Sequence, residues 1–150
     1  MASIWDDFEA RVIDSPEPSV REHVRRYLAT GGASGYMEGG MTNLLLTTVG
    51  RESGRLRRTG LFFGRDGDRY VLVGSHWTGT EPDPGWYRNL VEHPEVHVQV
   101  KADRFLARAR VAEGVERERL WKLMTDRVPA YLAYQARATR EIPIVVLERV

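Results

Sequence analysis

The stretch GRESGRLRR, Gly50 to Arg58, concentrates side chains suited to binding an anion. Gly50 and Gly54 permit a tight turn in which backbone N–H groups converge, and Arg51 and Arg57 add forked, permanently charged donors. Each charge-assisted hydrogen bond contributes about 1.5–3 kcal/mol, so two or three would hold a phosphate. A hairpin tip with solvated arginines has the same pattern, and the stretch matches no familiar phosphate loop. At this level both interpretations stay open.

Two tyrosines in the segment VPAYLAYQ form a second candidate group. Tyr131 and Tyr134 are three residues apart, so on a helix they share a face and present two phenols to one cavity. Tyrosines that pack in a core with their hydroxyls at the surface are the common alternative. Trp86, in the segment PGWYRN, supplies an aromatic ring beside a turn.

Several other chemistries are not supported by the pattern. The chain has no cysteine, so redox work needs a borrowed cofactor. His93 and His97 are separated by Pro94 and fall in different predicted elements, which argues against a metal site. Arg104 and Arg108 lie on one strand face, but no stacking aromatic accompanies them and the net charge is only +1. We therefore expect neither a metal nor nucleic acid as a partner.

These groups must be positioned by a single domain, since 150 residues with 42% hydrophobic content suit one core. We expect that domain to span residues 1–150, with an N-terminal helical segment at 1–30. The patterns predict six strands, at 43–49, 56–65, 69–75, 95–100, 104–112 and 142–150. They predict helices at 3–13, 19–30 and 115–127, a short helix between the prolines of PDPGWYRNLVEHP, and another after Pro129. A small antiparallel barrel with peripheral helices fits this order, and an open α+β sheet is the other candidate.

Several segments, in order from Tyr27 to Glu148, resemble a known family: LATGG, EGG, NLLLTTVGRESG, GDRYVLVGS, PGWYRNL, HPEVHVQV and IPIVVLE. Together they are similar to the deazaflavin-dependent nitroreductases, also described as deazaflavin-dependent quinone reductases. The resemblance implies a mainly β (α+β) fold, a split β-barrel of about six antiparallel strands like the FMN-binding split barrels. It also implies an oxidoreductase that binds coenzyme F-420, an 8-hydroxy-5-deazaflavin with a phosphate and an oligoglutamate tail. The reduced coenzyme would give a hydride to a small apolar acceptor, which is a quinone, an enone or a nitroaromatic.

The resemblance also assigns residues to the site. Four stretches fall on the family's coenzyme-binding positions: Arg51, Glu52 and Ser53; Arg57, Arg58, Thr59, Gly60 and Leu61; Val73, Gly74, Ser75 and His76; Gly85, Trp86, Tyr87, Arg88 and Asn89. The arginine turn would hold the anionic tail, and Trp86 with the strand backbone would position the ring. Tyr131 and Tyr134 match paired tyrosines near the acceptor, and we take them as catalytic residues that orient it or supply a proton.

The chain departs from the family pattern at several positions. Glu52 and His76 stand where many relatives have lysines, so two cations for the tail are missing. Arg55 and Arg58 stand where many relatives have uncharged residues, and we expect them to compensate. Phe62 replaces a tyrosine that can line the acceptor pocket.

Two other functions stay open at this stage, an FMN-binding split-barrel oxidoreductase and a non-catalytic deazaflavin carrier. The N-terminus lacks the basic start and apolar core of a signal peptide, and no apolar stretch is long enough to span a bilayer, so we expect a cytoplasmic protein. A peripheral contact of the N-terminal helix with the inner face of the membrane, and a homodimer, are also left open.

Overall fold

The computed structural model describes residues 3–75 and 83–150, and in these residues a nine-stranded sheet carries four α-helices. The strands are β1 (Ile13–Asp14), β2 (Met37–Glu38), β3 (Met41–Val49), β4 (Leu56–Phe62), β5 (Gly64–Asp66), β6 (Arg69–Val73), β7 (Glu95–Val100), β8 (Asp103–Val111) and β9 (Ile144–Arg149). The helices are α1 (Pro18–Thr30), α2 (Gly85–Glu92), α3 (Gly114–Arg127) and α4 (Ala130–Arg137). In the described part of the chain no helix has both the length and the apolar character needed to cross a membrane.

The sheet has the order β1-β4-β3-β7-β8-β9-β6-β5, and β2 pairs with β3. All pairings are antiparallel except that of β1 with β4, which is parallel. β4 and β5 lie near opposite ends of this order, yet only Phe63 separates them in sequence. The sheet must therefore curl until its two margins meet at Phe63, where they do not pair. The mainly β fold class is confirmed, with an incompletely closed sheet of nine strands rather than about six.

The last strand shows why the sheet is buried on both faces. Val145 and Leu147 point inward and pack in the core of the curled sheet with Leu44 and Leu72. Their neighbour Val146 points outward, together with Ile144, into a second core under α3 and α4. Because alternate residues of a strand face opposite sides, two buried faces require the nearly continuous apolar run of this segment.

Residues 3–13 differ from the prediction. The helix predicted for residues 3–13 is wrong, since only a single 3-10 turn, Phe8–Ala10, precedes β1. Asp7 has a left-handed backbone, with φ of 49°, which interrupts a regular helix. Trp5 and Phe8 instead pack on Leu56, and the Trp5 indole N–H donates to Glu95 at 2.6 Å. We call residues 3–17 the strap, because they cross the outside of the sheet.

Most other elements agree with the predictions. α1 ends at Gly31, whose left-handed φ of 58° is a conformation that glycine adopts without a steric cost. The hairpin predicted at Asp66 and Gly67 joins β5 to β6. The strand predicted at 56–65 is divided at Phe63 into β4 and β5, which belong to different margins of the sheet.

Candidate functional site

The arginine-rich turn between β3 and β4 is tightly closed. The Gly50 N–H donates to the Arg55 carbonyl at 2.7 Å, and the Gly54 N–H donates to the Gly50 carbonyl at 2.8 Å. A Cβ on Gly50 would lie 2.9 Å from the Ser53 hydroxyl and 3.0 Å from the Arg55 carbonyl, so a side chain does not fit there. The turn therefore requires glycine for its geometry, as the sequence indicated.

A buried amide connects this turn to α2. Asn89 is 4% exposed, and its Oδ1 accepts from the Arg51 backbone N–H at 3.1 Å and from Arg51 Nη1 at 2.9 Å. Its Nδ2 donates to the Thr48 hydroxyl at 3.1 Å. Asn89 thus holds the Arg51 guanidinium in place with a neutral partner, which leaves the positive charge uncompensated.

A cleft of about 510 Å³ opens beside the turn, and we call it the arginine cleft. Its lining comes from the strap, β3, the turn, β4 and the start of α2: Ile13, Asp14, Ser15, Pro16, Thr48, Gly50, Arg51, Glu52, Ser53, Arg57, Arg58, Thr59, Gly85, Trp86 and Asn89. Within the described residues neither Arg51 nor Arg57 has a carboxylate partner. Such arginines attract an anion, because no internal carboxylate competes for them.

The first turn of α2 adds further donors to the cleft. Its N-cap, Pro84, makes no side-chain cap, so it leaves the first backbone N–H groups of the helix, at Gly85 and Trp86, to other partners. A Cβ on Gly85 would meet no atom of the described residues within 4 Å. Glycine at this position leaves room for a bound group next to the helix N-terminus.

Arg58 has a different environment from Arg57. It is 7% exposed; its Nη1 donates to Glu9 at 2.7 Å and its Nε to Asp14 at 3.2 Å. Both carboxylates belong to the strap, in which Glu9 falls within the helix predicted for residues 3–13 and Asp14 directly follows it. The register of β1 beside β4 puts Asp14 opposite Arg58. No local sequence signal could have found this contact, since 44 residues separate the two partners.

A second, smaller cavity of about 230 Å³, the tyrosine pocket, lies beyond Trp86. It is lined by Asn43, Gly60, Leu61, Phe62, Leu72, Val73, Ser75, Trp86, Tyr131 and Tyr134. Trp86 lines both cavities, so its ring stands at the junction between them. The side chains of this pocket are mostly apolar, whereas those of the arginine cleft are mostly polar or charged.

The two tyrosines meet in this pocket, as their three-residue spacing on a helix predicted. Their ring centroids are 6.0 Å apart with an interplanar angle of 69°, an edge-on contact. Burial, together with the neighbouring Tyr134, raises the pKa of Tyr131 to about 12. Tyr131 is therefore a neutral phenol at physiological pH, able to donate a hydrogen bond or a proton but not to act as a phenolate.

The backbone around Gly60 and Gly74 leaves no room for larger residues. A Cβ on Gly60 would lie 2.4 Å from His23 Nδ1, and one on Gly74 would lie 2.7 Å from Pro143 Cγ. Gly60 thus presents its backbone to the tyrosine pocket on one side and to a buried histidine on the other. Gly74 carries no side chain because Pro143 occupies that position.

Of the coenzyme-binding residues expected from sequence, nine line the arginine cleft: Arg51, Glu52, Ser53, Arg57, Arg58, Thr59, Gly85, Trp86 and Asn89. Gly60, Leu61, Val73 and Ser75 line the tyrosine pocket with Trp86. Gly74, Tyr87 and Arg88 line neither cavity. His76 lies outside the described residues. Sequence reasoning missed Thr48 and the strap residues 13–16.

Comparison with known proteins agrees with the resemblance seen in the sequence. Residues 19–149 match a family model described as "F420H(2)-dependent quinone reductase". An F420H(2)-dependent quinone reductase of Mycobacterium tuberculosis is 37% identical over 135 residues, which cover 87% of this chain and 89% of that protein.

Two solved structures are similar at comparable identity. An F420-H2 dependent reductase, FDR-A, is 36% identical with a TM-score of 0.65, and the match covers 71% of this chain and 93% of that one. A second structure, described as a domain-swapped dimer, is 35% identical with a TM-score of 0.68, and the match covers 89% of this chain and 100% of that one. The chain therefore belongs to the F420H(2)-dependent quinone reductase family.

Proposed function

We propose that this protein is a reductase that uses coenzyme F-420 and passes a hydride to a quinone. The observation that carries the proposal is the pairing of two cavities at Trp86. One contains Arg51 and Arg57, which have no carboxylate partner among the described residues, and the other is apolar with two phenols. A cofactor with an anionic tail and a planar ring, used together with an apolar acceptor, fits this combination. The cleft supplies guanidinium and helix N-terminal donors for the tail, Trp86 supplies an aromatic face for the ring, and the pocket supplies apolar walls for the acceptor.

The residues divide the work between binding and orientation. Arg51, Arg57 and Ser53 would hold the phosphate, with the N–H groups that begin α2. Trp86 and the backbone at Gly60 would fix the position of the planar ring. When bound, the reduced coenzyme supplies the hydride, which is chemistry that no side chain of this protein provides.

The tyrosine pocket would hold the acceptor. Tyr131 and Tyr134 present two phenols from one helix to the same cavity, and the raised pKa of Tyr131 keeps it a neutral hydrogen-bond donor. Reduction of a quinone to a quinol requires one hydride and one proton, so a neutral phenol beside the carbonyl oxygen suits the reaction. Phe62 and Leu72 would exclude water from the face of the acceptor.

The test combines binding with turnover. The purified protein is titrated with oxidised coenzyme F-420 and, in parallel, with FMN, while tryptophan fluorescence is followed. The reduced coenzyme is then mixed with a soluble quinone, and its reoxidation is followed by absorbance with and without the protein. We expect tight binding of the deazaflavin, weak binding of FMN, and protein-dependent reoxidation.

Each other outcome identifies a different function. Preferential binding of FMN would indicate a flavin-dependent oxidoreductase. Tight binding of the deazaflavin with no acceleration by any quinone, enone or nitroaromatic tested would indicate a carrier. Failure to bind either cofactor would contradict the proposal.

A further inference from the structure

The strap lies outside the region that matches the family model, yet it forms one wall of the arginine cleft. The match begins at residue 19, whereas residues 13–16 line the cleft opposite the turn. The strap is held there by several independent contacts: Trp5 and Phe8 pack on Leu56, β1 pairs with β4, and Arg58 binds two strap carboxylates. This wall is therefore a feature of the present chain that the family match does not include.

The strap changes the charge that the cleft offers to a ligand. Three arginines line the cleft, but two carboxylates, Asp14 and Glu52, line it as well. Arg58, the most buried of the three arginines, is occupied by Asp14 and by Glu9. Of the three, Arg51 and Arg57 have no carboxylate partner among the described residues, so they are left for an anion.

The register of β1 on β4 places the Asp14 carboxylate beside Arg58 rather than beside Arg57. β1 pairs with β4 so that Ile13 lies opposite Arg57 and Asp14 opposite Arg58. A ligand that passes along this wall meets the carboxylate of Asp14 where Arg58 would otherwise attract it. A further carboxylate placed there has no free guanidinium to bind and is repelled by Asp14.

We infer that the strap is a specificity element that restricts strong binding to the phosphate-bearing part of the coenzyme. The inference rests on the proposed function. Arg51, Arg57 and the start of α2 bind the phosphate, and the glutamates of the tail add no affinity because the strap neutralises Arg58. The expected ligand class is a deazaflavin phosphate whose binding is insensitive to the number of tail carboxylates.

The test measures dissociation constants for two forms of oxidised coenzyme F-420, one with a single glutamate and one with several. Tryptophan quenching is the readout, so no turnover is required. For the wild type we expect the two constants to agree within about twofold. In the Glu9→Gln, Asp14→Asn double variant Arg58 is released, and we expect the long-tailed form to bind about tenfold more tightly than the short-tailed form, as one charge-assisted hydrogen bond would give.

Two controls separate a specific effect from a general one. The Glu113→Gln, Glu118→Gln double variant also removes two negative charges, but from exposed positions of the α3 region outside the cleft. It should leave the ratio of the two dissociation constants unchanged. Inorganic phosphate should compete with both forms of the coenzyme in the wild type and in the double variant. If the double variant does not fold, Asp14→Asn alone keeps the Glu9 pair with Arg58, and we expect about a threefold preference for the long tail.

The outcomes distinguish the two levels of the proposal. A wild type that already binds the long tail tenfold more tightly, or a folded double variant with no preference, overturns the role of the strap but leaves the proposed function intact. A wild type that binds neither form overturns both.

Discussion

The arginine cleft and the tyrosine pocket share Trp86 but are built on opposite principles. The cleft is formed largely by a turn, a helix start and the strap, and its main resource is the charge of Arg51 and Arg57, for which the described residues supply no carboxylate partner. The pocket is lined mainly by strand residues and α4, and it offers a ligand apolar surface and two phenols. Under the proposed function, one site is divided into an electrostatic half for the cofactor and an apolar half for the acceptor. Changes of charge and changes of protonation should therefore have separable effects.

The largest effect should come from removing the charge of the cleft. We expect Arg51→Ala, Arg57→Ala to raise the dissociation constant for coenzyme F-420 by about 100-fold or more, because two charge-assisted hydrogen bonds are lost. Fluorescence titration measures this change. Arg119→Ala is the matched control, since Arg119 is half exposed and paired with Asp66 outside both cavities. Equal weakening by Arg119→Ala would show that only net charge matters.

A smaller effect, confined to turnover, should follow from changes in the pocket. We expect Tyr131→Phe, Tyr134→Phe to lower kcat about tenfold or more while the coenzyme affinity changes less than about twofold, because the proposed role of the two hydroxyls is to orient or protonate the acceptor. Stopped-flow reoxidation and fluorescence titration measure the two quantities separately. Tyr70→Phe, in the inner core, is the control. Full turnover in the tyrosine double variant would remove both phenols from the mechanism.

Ionic strength should affect the arginine cleft more strongly than the tyrosine pocket. Increasing salt from about 0.05 to 0.5 M should weaken coenzyme binding severalfold, since ions screen the exposed arginines of the cleft. The KM of an uncharged quinone should change little, because apolar area is not screened in this way. A coenzyme affinity that does not depend on salt would contradict the electrostatic description of the cleft.

The smallest effect is a pH dependence of folding stability that involves the strap, which contacts the cleft but not the pocket. His97 lies under Phe8, with ring centroids 4.5 Å apart, and burial followed by the charge of Arg104 lowers its pKa to about 4. The unfolded chain, with a pKa near 6.5, then binds more protons than the folded one. The stabilisation is therefore present above about pH 6.5 and is lost as the pH falls toward 4.

Thermal unfolding between pH 7 and 4.5 measures this linkage. Because the imidazole is only partly buried, we expect a loss of about 1 kcal/mol from His97, well below the full value of its pKa shift. His97→Gln should lose correspondingly less stability over the same range. Identical pH dependence in the two proteins would show that the ring is not buried by the strap in solution.

The sequence predicted the parts whose causes are local. Gly50 and Gly54 predicted the tight turn, because turn geometry is a property of a few neighbouring residues, and the arginines beside them suggested an anion site, which stays a prediction. The helix spacing of Tyr131 and Tyr134 predicted their shared cavity for the same reason. The resemblance to a family, which the comparisons confirmed, added the cofactor that these patterns alone could not identify.

Other features depended on long-range contacts. Arg57 and Arg58 are adjacent and identical in type, so nothing local distinguishes the exposed arginine from the one that two strap carboxylates occupy. Residues 3–13 of the strap were predicted to be a helix because Ser3 suits an N-cap and Asp6 and Asp7 suit the first turn. In the structure, packing of Trp5 and Phe8 against Leu56 and His97 outweighs that weak local preference.

By itself, then, the sequence determined the turn, the alternation of apolar strands, the phenol pair and the family. Tertiary structure alone decided which arginines remain unpaired, where the sheet stays open, and which segment closes the cleft. The physical reason is that an arginine already paired with internal carboxylates has little attraction left for a ligand anion. That depends on residues such as Glu9 and Asp14, 49 and 44 positions away from Arg58.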